Sequence, residues 1–183
     1  MTLTLLVPEV KDIQYVGATL ARLARPGDLV MLTGPLGAGK TTMTQGIARG
    51  LGVKGKVSSP TFVIAQIHRG TQLDLVHVDA YRLSSAEELD ALDLDSTLAE
   101  SLTVVEWGAG KVEMLSDERL EIVIERPEGD AGLADPNDLS ELSDDAERTL
   151  HIRPYGARGR ELCEALADAF PDGHVNAPSE NTD

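Results

Sequence analysis

Gly34-Pro35-Leu36-Gly37-Ala38-Gly39-Lys40-Thr41 follows directly on the apolar run Leu29-Val30-Met31-Leu32 and leads directly into a helix-like stretch over 42–51. The spacing G-x-x-x-x-G-K-T between a strand and a helix is that of a P-loop. A triphosphate carries several negative charges. A glycine-rich turn lets successive backbone N–H groups face its oxygens, and the helix behind the turn adds the positive end of its dipole. Side chains at Gly37 or Gly39 would obstruct that wrap. Lys40 is spaced to reach the β- and γ-phosphates, and the Thr41 hydroxyl is placed to ligate a Mg²⁺ bridging them. The stretch therefore implies a magnesium nucleotide. It also predicts an α/β chain with a P-loop NTPase-type three-layer fold around a mixed, mostly parallel central sheet.

Outward from the P-loop, the pattern alternates as such a fold requires. Ile13, Val16, Leu20 and Leu23 have helical spacing over 12–24, and Pro26-Gly27-Asp28 stops that helix before the strand at 29–33. The helix after the P-loop closes at Gly52. Strand-like runs at 62–67 and 73–78, joined through Arg69-Gly70-Thr71, predict a hairpin. Ser85-Ala86-Glu87-Glu88 has the form of a capping box opening a helix through Leu92, and 96–100 starts a second short one. Strands are expected at 102–105, 120–125 and 149–152. Pro154-Tyr155-Gly156 reads as a turn before a closing helix over 158–170.

Length and composition fit one compact domain over 1–170, carrying the P-loop, with 171–183 as a disordered tail. Hydrophobic residues make up 42% of the 183 and aromatics only 3%, so Leu, Val, Ile and Ala must build the core. The net charge of −15 is uneven: eight acids and no Lys or Arg lie between Pro127 and Glu147, and three acids lie in the tail. The remainder carries 20 acids against 16 bases, which offers no broad footprint for a nucleic-acid backbone. The stretch 129–145, rich in Gly, Asp, Ser and Pro, reads as an acidic loop insertion. The lone Cys163 has no disulfide partner, and no long apolar span or signal peptide is evident, so a cytoplasmic protein is expected. Cys163 falls mid-helix and reads as a small buried hydrophobe.

A P-loop needs carboxylates to complete its metal site. Leu75-Val76-His77-Val78-Asp79 and Leu102-Thr103-Val104-Val105-Glu106 each bring an acid to the C-terminal end of an apolar strand, where open α/β sheets assemble their sites. Glu106 fits the Walker-B-like pattern and is the first candidate for the metal and its water shell. Asp79 is the candidate to hold or activate the attacking water. His77 stands alone, without Cys or His at metal-ligand spacing, and reads as a structural residue.

Taken in order, Gly34 to Thr42, Ser59-Pro60-Thr61-Phe62, His77-Val78-Asp79-Ala80-Tyr81-Arg82-Leu83 with Glu87-Glu88-Leu89, and Val105-Glu106-Trp107 resemble the TsaE (YjeE) family, at that family's separations. The resemblance covers roughly 8–126. It implies an ATPase subunit of the bacterial machinery that makes N6-threonylcarbamoyladenosine at position 37 of ANN-decoding tRNAs, working with TsaB and TsaD and meeting tRNA only through that complex. By motif match, Gly37, Ala38, Gly39, Lys40, Thr41 and Thr42 would hold the ATP phosphates, Thr41 and Glu106 the Mg²⁺, and Lys40, Asp79 and Glu106 would serve hydrolysis. Trp107 would adjoin the nucleotide, Ser59-Pro60-Thr61 would be switch-like, and Arg82 would pair with a carboxylate or a phosphate. The acidic stretch 129–145 and the tail depart from the family pattern. By the same resemblance, Arg148 would correspond to a family arginine near the nucleotide and Pro8-Glu9-Val10 would lie at the adenine, although the acidic stretch interrupts the match before Arg148.

Two other readings stand beside this one. A guanine-reading N-K-x-D is missing from the sequence, which favours adenine. Arg153, Arg158 and Arg160 could clamp phosphate as the lid of a small-molecule P-loop kinase. A nucleotide-gated protein-binding module, whose slow hydrolysis acts as a timer, is the other alternative.

Overall fold

The computed structural model describes residues 2–60, 63–83, 88, 95–111, 113–126 and 147–178. In chain order these form β1 (Leu3–Val7), α1 (Val10–Leu23), β2 (Leu29–Thr33), α2 (Lys40–Gly50), β3 (Ala65–His68), β4 (Asp74–Asp79), α3 (Asp95–Leu98), β5 (Ser101–Glu106), β6 (Arg119–Glu125), β7 (Arg148–Tyr155) and α4 (Gly156–Ala169). Seven strands make one sheet in the order β1-β7-β6-β2-β5-β4-β3. The central β6-β2-β5-β4 are parallel, while β7 and β3 run antiparallel to their neighbours. This is the mixed, mostly parallel α/β sheet expected from the P-loop. The expected capping box at 85–88, its helix, and the acidic stretch 129–145 lie outside the described residues, apart from Glu88.

Alternation along the strands divides the core into two layers. Val30 and Leu32 of β2, Leu75 of β4, Leu102 and Val104 of β5, and Leu120, Ile122 and Ile124 of β6 face the larger cluster beneath α1, α2 and α4. Leu29, Met31, Val76, Val78 and Val105 face the other side, against Leu83, Leu98 and Leu115. Central strands buried on both faces explain why 29–32 and 102–105 read as continuous apolar runs. Each fully buried Leu, Ile or Val contributes about 1.5–3 kcal/mol relative to exposure.

The helices α1 and α2 meet backbone to backbone. A Cβ added to Gly46 would lie 2.2 Å from the Gln14 carbonyl oxygen, and one on Gly17 would lie 2.5 Å from that of Met43. Because α2 carries the P-loop lysine at its first position, this approach sets the height of the loop over the sheet. Gly46→Ala is expected to destabilise the fold by about 1–3 kcal/mol, since no flexible side chain can yield there. Denaturant unfolding checks this, and a midpoint equal to the parent's would show that the helices can separate freely.

Three features differ from the sequence reading. Leu3, Leu5 and Val7, buried on alternate positions, form the edge strand β1, which antiparallel pairing with β7 holds in the sheet. Residues 173–177 of the expected tail lie along the free edge of β1. Leu6 N–H donates to Gly173 O (2.8 Å), Val175 N–H donates to Leu6 O (3.0 Å), and Ala177 N–H donates to Asp12 Oδ1 (2.7 Å). Val175 is fully buried, so one apolar side chain and backbone bonding to an open sheet edge anchor a polar segment. Finally, Pro154 and Tyr155 extend β7 and Gly156 opens α4, so this segment is a strand-to-helix junction rather than a separate turn.

Candidate functional site

The P-loop connects the end of β2 to the start of α2. Gly39 caps α2 in a left-handed conformation with φ +115°, and a Cβ there would come within 2.9 Å of Ile13 Cδ1. Gly37 is also left-handed, at φ +74°, with open space where its Cβ would point. An L side chain is disfavoured by backbone conformation at both positions. Ala38 is buried, Leu36 projects fully into solvent, and Thr41 and Thr42 follow Lys40 in the first turn of α2. Lys40 is buried, and its Nζ donates to the carbonyl oxygens of Gly34 and Pro35, both at 2.8 Å. Burial pushes the ammonium pKa below its ordinary value, against the opposing pull of Glu106 and then Asp79.

Both strand-terminal acids arrive at this loop. Asp79 and Glu106 are register partners at the C-terminal ends of β4 and β5, and each is only 2% exposed. Glu106 Oε2 accepts from Thr41 Oγ1 at 3.1 Å. Its Oε1 accepts from His77 Nε2 at 2.8 Å and from Thr44 Oγ1 at 3.4 Å. Asp79 Oδ1 accepts from Tyr81 N–H (3.0 Å), capping the 3₁₀ turn Ala80–Arg82, and Oδ2 accepts from Ser59 Oγ (2.9 Å). The switch-like segment is thus tied to Asp79 through Ser59, while Thr61 lies outside the described residues.

Trp107 follows Glu106 with φ +61°, a conformation that costs a non-glycine residue about 1–2 kcal/mol. Its N–H donates to Leu32 O at 3.1 Å. The indole lies under Lys40 Nζ, 3.7 Å from the ring centroid, and meets the Tyr81 ring edge-on at 5.4 Å. A cation held on an aromatic face gains about 0.5–2 kcal/mol, the same scale as the backbone cost. Thr33, Gly34, Pro35, Tyr81, Trp107 and Lys111 line an open cleft of ≈ 470 Å³ beside the loop.

The sequence-predicted residues therefore converge: the P-loop, Asp79, Glu106 and Trp107 meet at the C-terminal end of the parallel strands. Arg148, also buried, starts β7 on the far side of the loop, its Nε 4.0 Å from where a Cβ on Gly39 would sit. Of the arginines read as a possible kinase lid, Arg158 is engaged away from the loop. Arg158 donates to both carboxylate oxygens of buried Asp28 (2.9 and 2.8 Å) and pairs with Glu161. Asp28 precedes β2, roughly 16 Å of strand away from the P-loop that follows it.

The family described as "Threonylcarbamoyl adenosine biosynthesis protein TsaE" matches residues 7–132. The chain belongs to the TsaE family. Among relatives, the tRNA threonylcarbamoyladenosine biosynthesis protein TsaE of Streptomyces coelicolor is 59% identical over 117 residues, covering 62% of this chain and 79% of that protein. The protein of the same name from Bacillus subtilis is 37% identical over 158 residues, 86% of this chain and 89% of its own. The crystal structure of Bacillus subtilis YdiB superposes with a TM-score of 0.72 at 32% identity, over 93% of this chain and 97% of that one. The match extends through the P-loop, Asp79, Glu106 and Trp107, so this TsaE member carries its site inside the family region.

Two contacts of Glu106 were not named in the sequence reading. Thr44 stands one turn beyond Lys40, its single hydroxyl proton within reach of Lys40 O (3.1 Å) and, at longer range, of Glu106 Oε1 (3.4 Å), a position that helical spacing could have pointed to. His77, read from sequence as a structural residue, shares a face of β4 with Asp79, two residues on, and its partner, which the sequence could not name, is Glu106.

Proposed function

We propose that this TsaE chain is a Mg²⁺-dependent ATP-binding and hydrolysing subunit that supports N6-threonylcarbamoyladenosine modification of tRNA together with TsaB and TsaD, in the cytoplasm. The observation that carries the reading is the 3.1 Å contact between Thr41 Oγ1 and Glu106 Oε2 beside the P-loop lysine. One hydroxyl and one carboxylate are hard oxygen donors, and Mg²⁺ at nucleotide sites takes only one or two protein oxygens besides phosphates and waters. The donor set fits, with Thr41 and Glu106 as the residues that would hold the ion. When bound, it would supply charge neutralisation across the β- and γ-phosphates.

The chain's own groups supply the rest. Lys40 moves its charge from the Gly34 and Pro35 carbonyls onto phosphate oxygens, and the α2 dipole adds to the same field. Asp79, fixed by Ser59 and Tyr81, would accept the proton of an attacking water or orient it. Trp107 and Tyr81 wall the cleft and limit water there. The kinase alternative loses support because Arg158 is committed to Asp28. Contact with tRNA is indirect, in keeping with the net charge of −15. Among the described residues no helix is long and apolar enough to cross a membrane.

The test is assembly. Mixed with cognate TsaB and TsaD, the chain is expected to associate in an ATP-dependent manner, seen by size-exclusion chromatography with light scattering. ATP-independent behaviour, or no association with all three proteins folded, would sink the assembly reading and leave a free-standing nucleotide hydrolase or kinase.

A further inference from the structure

Buried polar groups near a proposed metal carboxylate are candidates for orienting it. His77 is fully buried on β4, and its Nε2 lies 2.8 Å from Glu106 Oε1. A carboxylate oxygen accepts, so Nε2–H is the donor. The other ring nitrogen, Nδ1, is buried with no hydrogen-bond partner among the described residues. An unpartnered lone pair is less costly there than an unpartnered N–H, and this holds the ring with its proton on Nε2. The His68 ring lies tilted beside it, 6.3 Å between centroids, but among the described residues the one hydrogen bond of the imidazole is its Nε2–H donated to Glu106.

The two carboxylate oxygens of Glu106 are consequently unequal. Oε1 is held from inside the sheet by His77; the Thr44 hydroxyl lies 3.4 Å from it, but its one proton has the shorter contact to Lys40 O (3.1 Å). Oε2 faces Thr41, the hydroxyl beside the P-loop. We propose that His77 is a positioning residue for the divalent-metal site. By occupying Glu106 Oε1 it fixes the carboxylate rotamer and reserves Oε2 for the metal or its water shell. This rests on the Mg²⁺-nucleotide reading of the site. Groups that hydrogen-bond a metal ligand from behind typically tune metal affinity about 10–100-fold.

The experiment compares His77→Leu, which removes the donor at similar bulk, with His77→Gln, whose amide can place an N–H near the Nε2 position. Each variant is saturated with a non-hydrolysable ATP analogue and titrated with Mg²⁺, following Trp107 fluorescence. Mn²⁺ binding by electron paramagnetic resonance provides a readout independent of the indole. His77→Leu is expected to raise the half-saturating metal concentration about tenfold or more, and His77→Gln to recover it to within about threefold. Metal-free binding of the analogue should match the parent in both. Parental metal dependence in His77→Leu overturns the proposal, as does an equal defect in the two variants, which would mean packing alone. If His77→Leu does not fold, His77→Asn, whose shorter amide falls short of Glu106, takes its place against His77→Gln under the same criteria. A parent protein that binds nucleotide without any metal dependence would instead overturn the Mg²⁺-nucleotide reading itself, and this proposal with it.

Discussion

Lys40→Ala lowers ATP turnover by at least about 100-fold, the scale seen when a group aimed at developing charge is removed from a preorganised site. It also weakens triphosphate binding, because a buried charge directed at phosphate oxygens is lost. Fold stability changes by only about 1 kcal/mol. The two hydrogen bonds to Gly34 and Pro35 disappear, but so does the cost of keeping an ammonium group out of water, the cost already visible in the downward displacement of its pKa. Phosphate release and thermal unfolding, measured on one preparation, separate the two effects. Parental turnover in a folded variant would remove the P-loop from the functional account.

The same substitution has an optical consequence. Trp107 is the only tryptophan, and Lys40 Nζ sits 3.7 Å from its ring centroid. Drawing the lysine onto phosphate takes a cation off the indole face, so Mg-ATP should change the emission of the parent, with GTP less effective. In Lys40→Ala the response disappears at ATP concentrations that saturate the parent. Saturable nucleotide binding by calorimetry with unchanged emission would mean that Lys40 stays on Trp107 in the bound state.

The part of the site that was legible in sequence is the part written in short spacings. The P-loop, the acid ending β4 and the acid ending β5 each declare themselves within ten residues, because strand, turn and helix termini are local events. What escaped depends on register. His77 becomes a partner of Glu106 only once β4 and β5 pair in parallel with Asp79 opposite Glu106, a relation across 29 residues. The engagement of Arg158 was hidden for the same reason. Its clustering with Arg153 and Arg160 is local, while its partner, Asp28, is 130 residues away at the opposite end of the parallel strands. The strand β1 and the docked 173–177 segment were missed because neither is convincing alone. The first is five residues at a terminus, the second polar apart from Val175, and each is stabilised by the other's backbone.

Separating the two carboxylates gives the second large effect. Glu106→Gln keeps the shape of the side chain and removes its charge. The half-saturating Mg²⁺ concentration should rise on the order of 10–100-fold or more, with turnover depressed at every attainable Mg²⁺ level, since the group in question would touch the metal or its water shell. Asp79→Asn is a different lesion. Its amide can keep one acceptor for Tyr81 N–H, so the 3₁₀ turn Ala80–Arg82 and the Tyr81 ring against Trp107 should stay in place. Nucleotide affinity and Mg²⁺ dependence should then remain near the parent's, while turnover falls about 100-fold or more because a neutral amide cannot accept the proton of the attacking water. The signature is a crossed pattern, with metal dependence moving in one variant and turnover alone in the other. A Glu106→Gln protein with parental Mg²⁺ dependence would transfer the metal role away from Glu106. If Asp79→Asn then showed the shifted dependence, the two acids would exchange roles, a swap that their adjacent register positions make geometrically accessible.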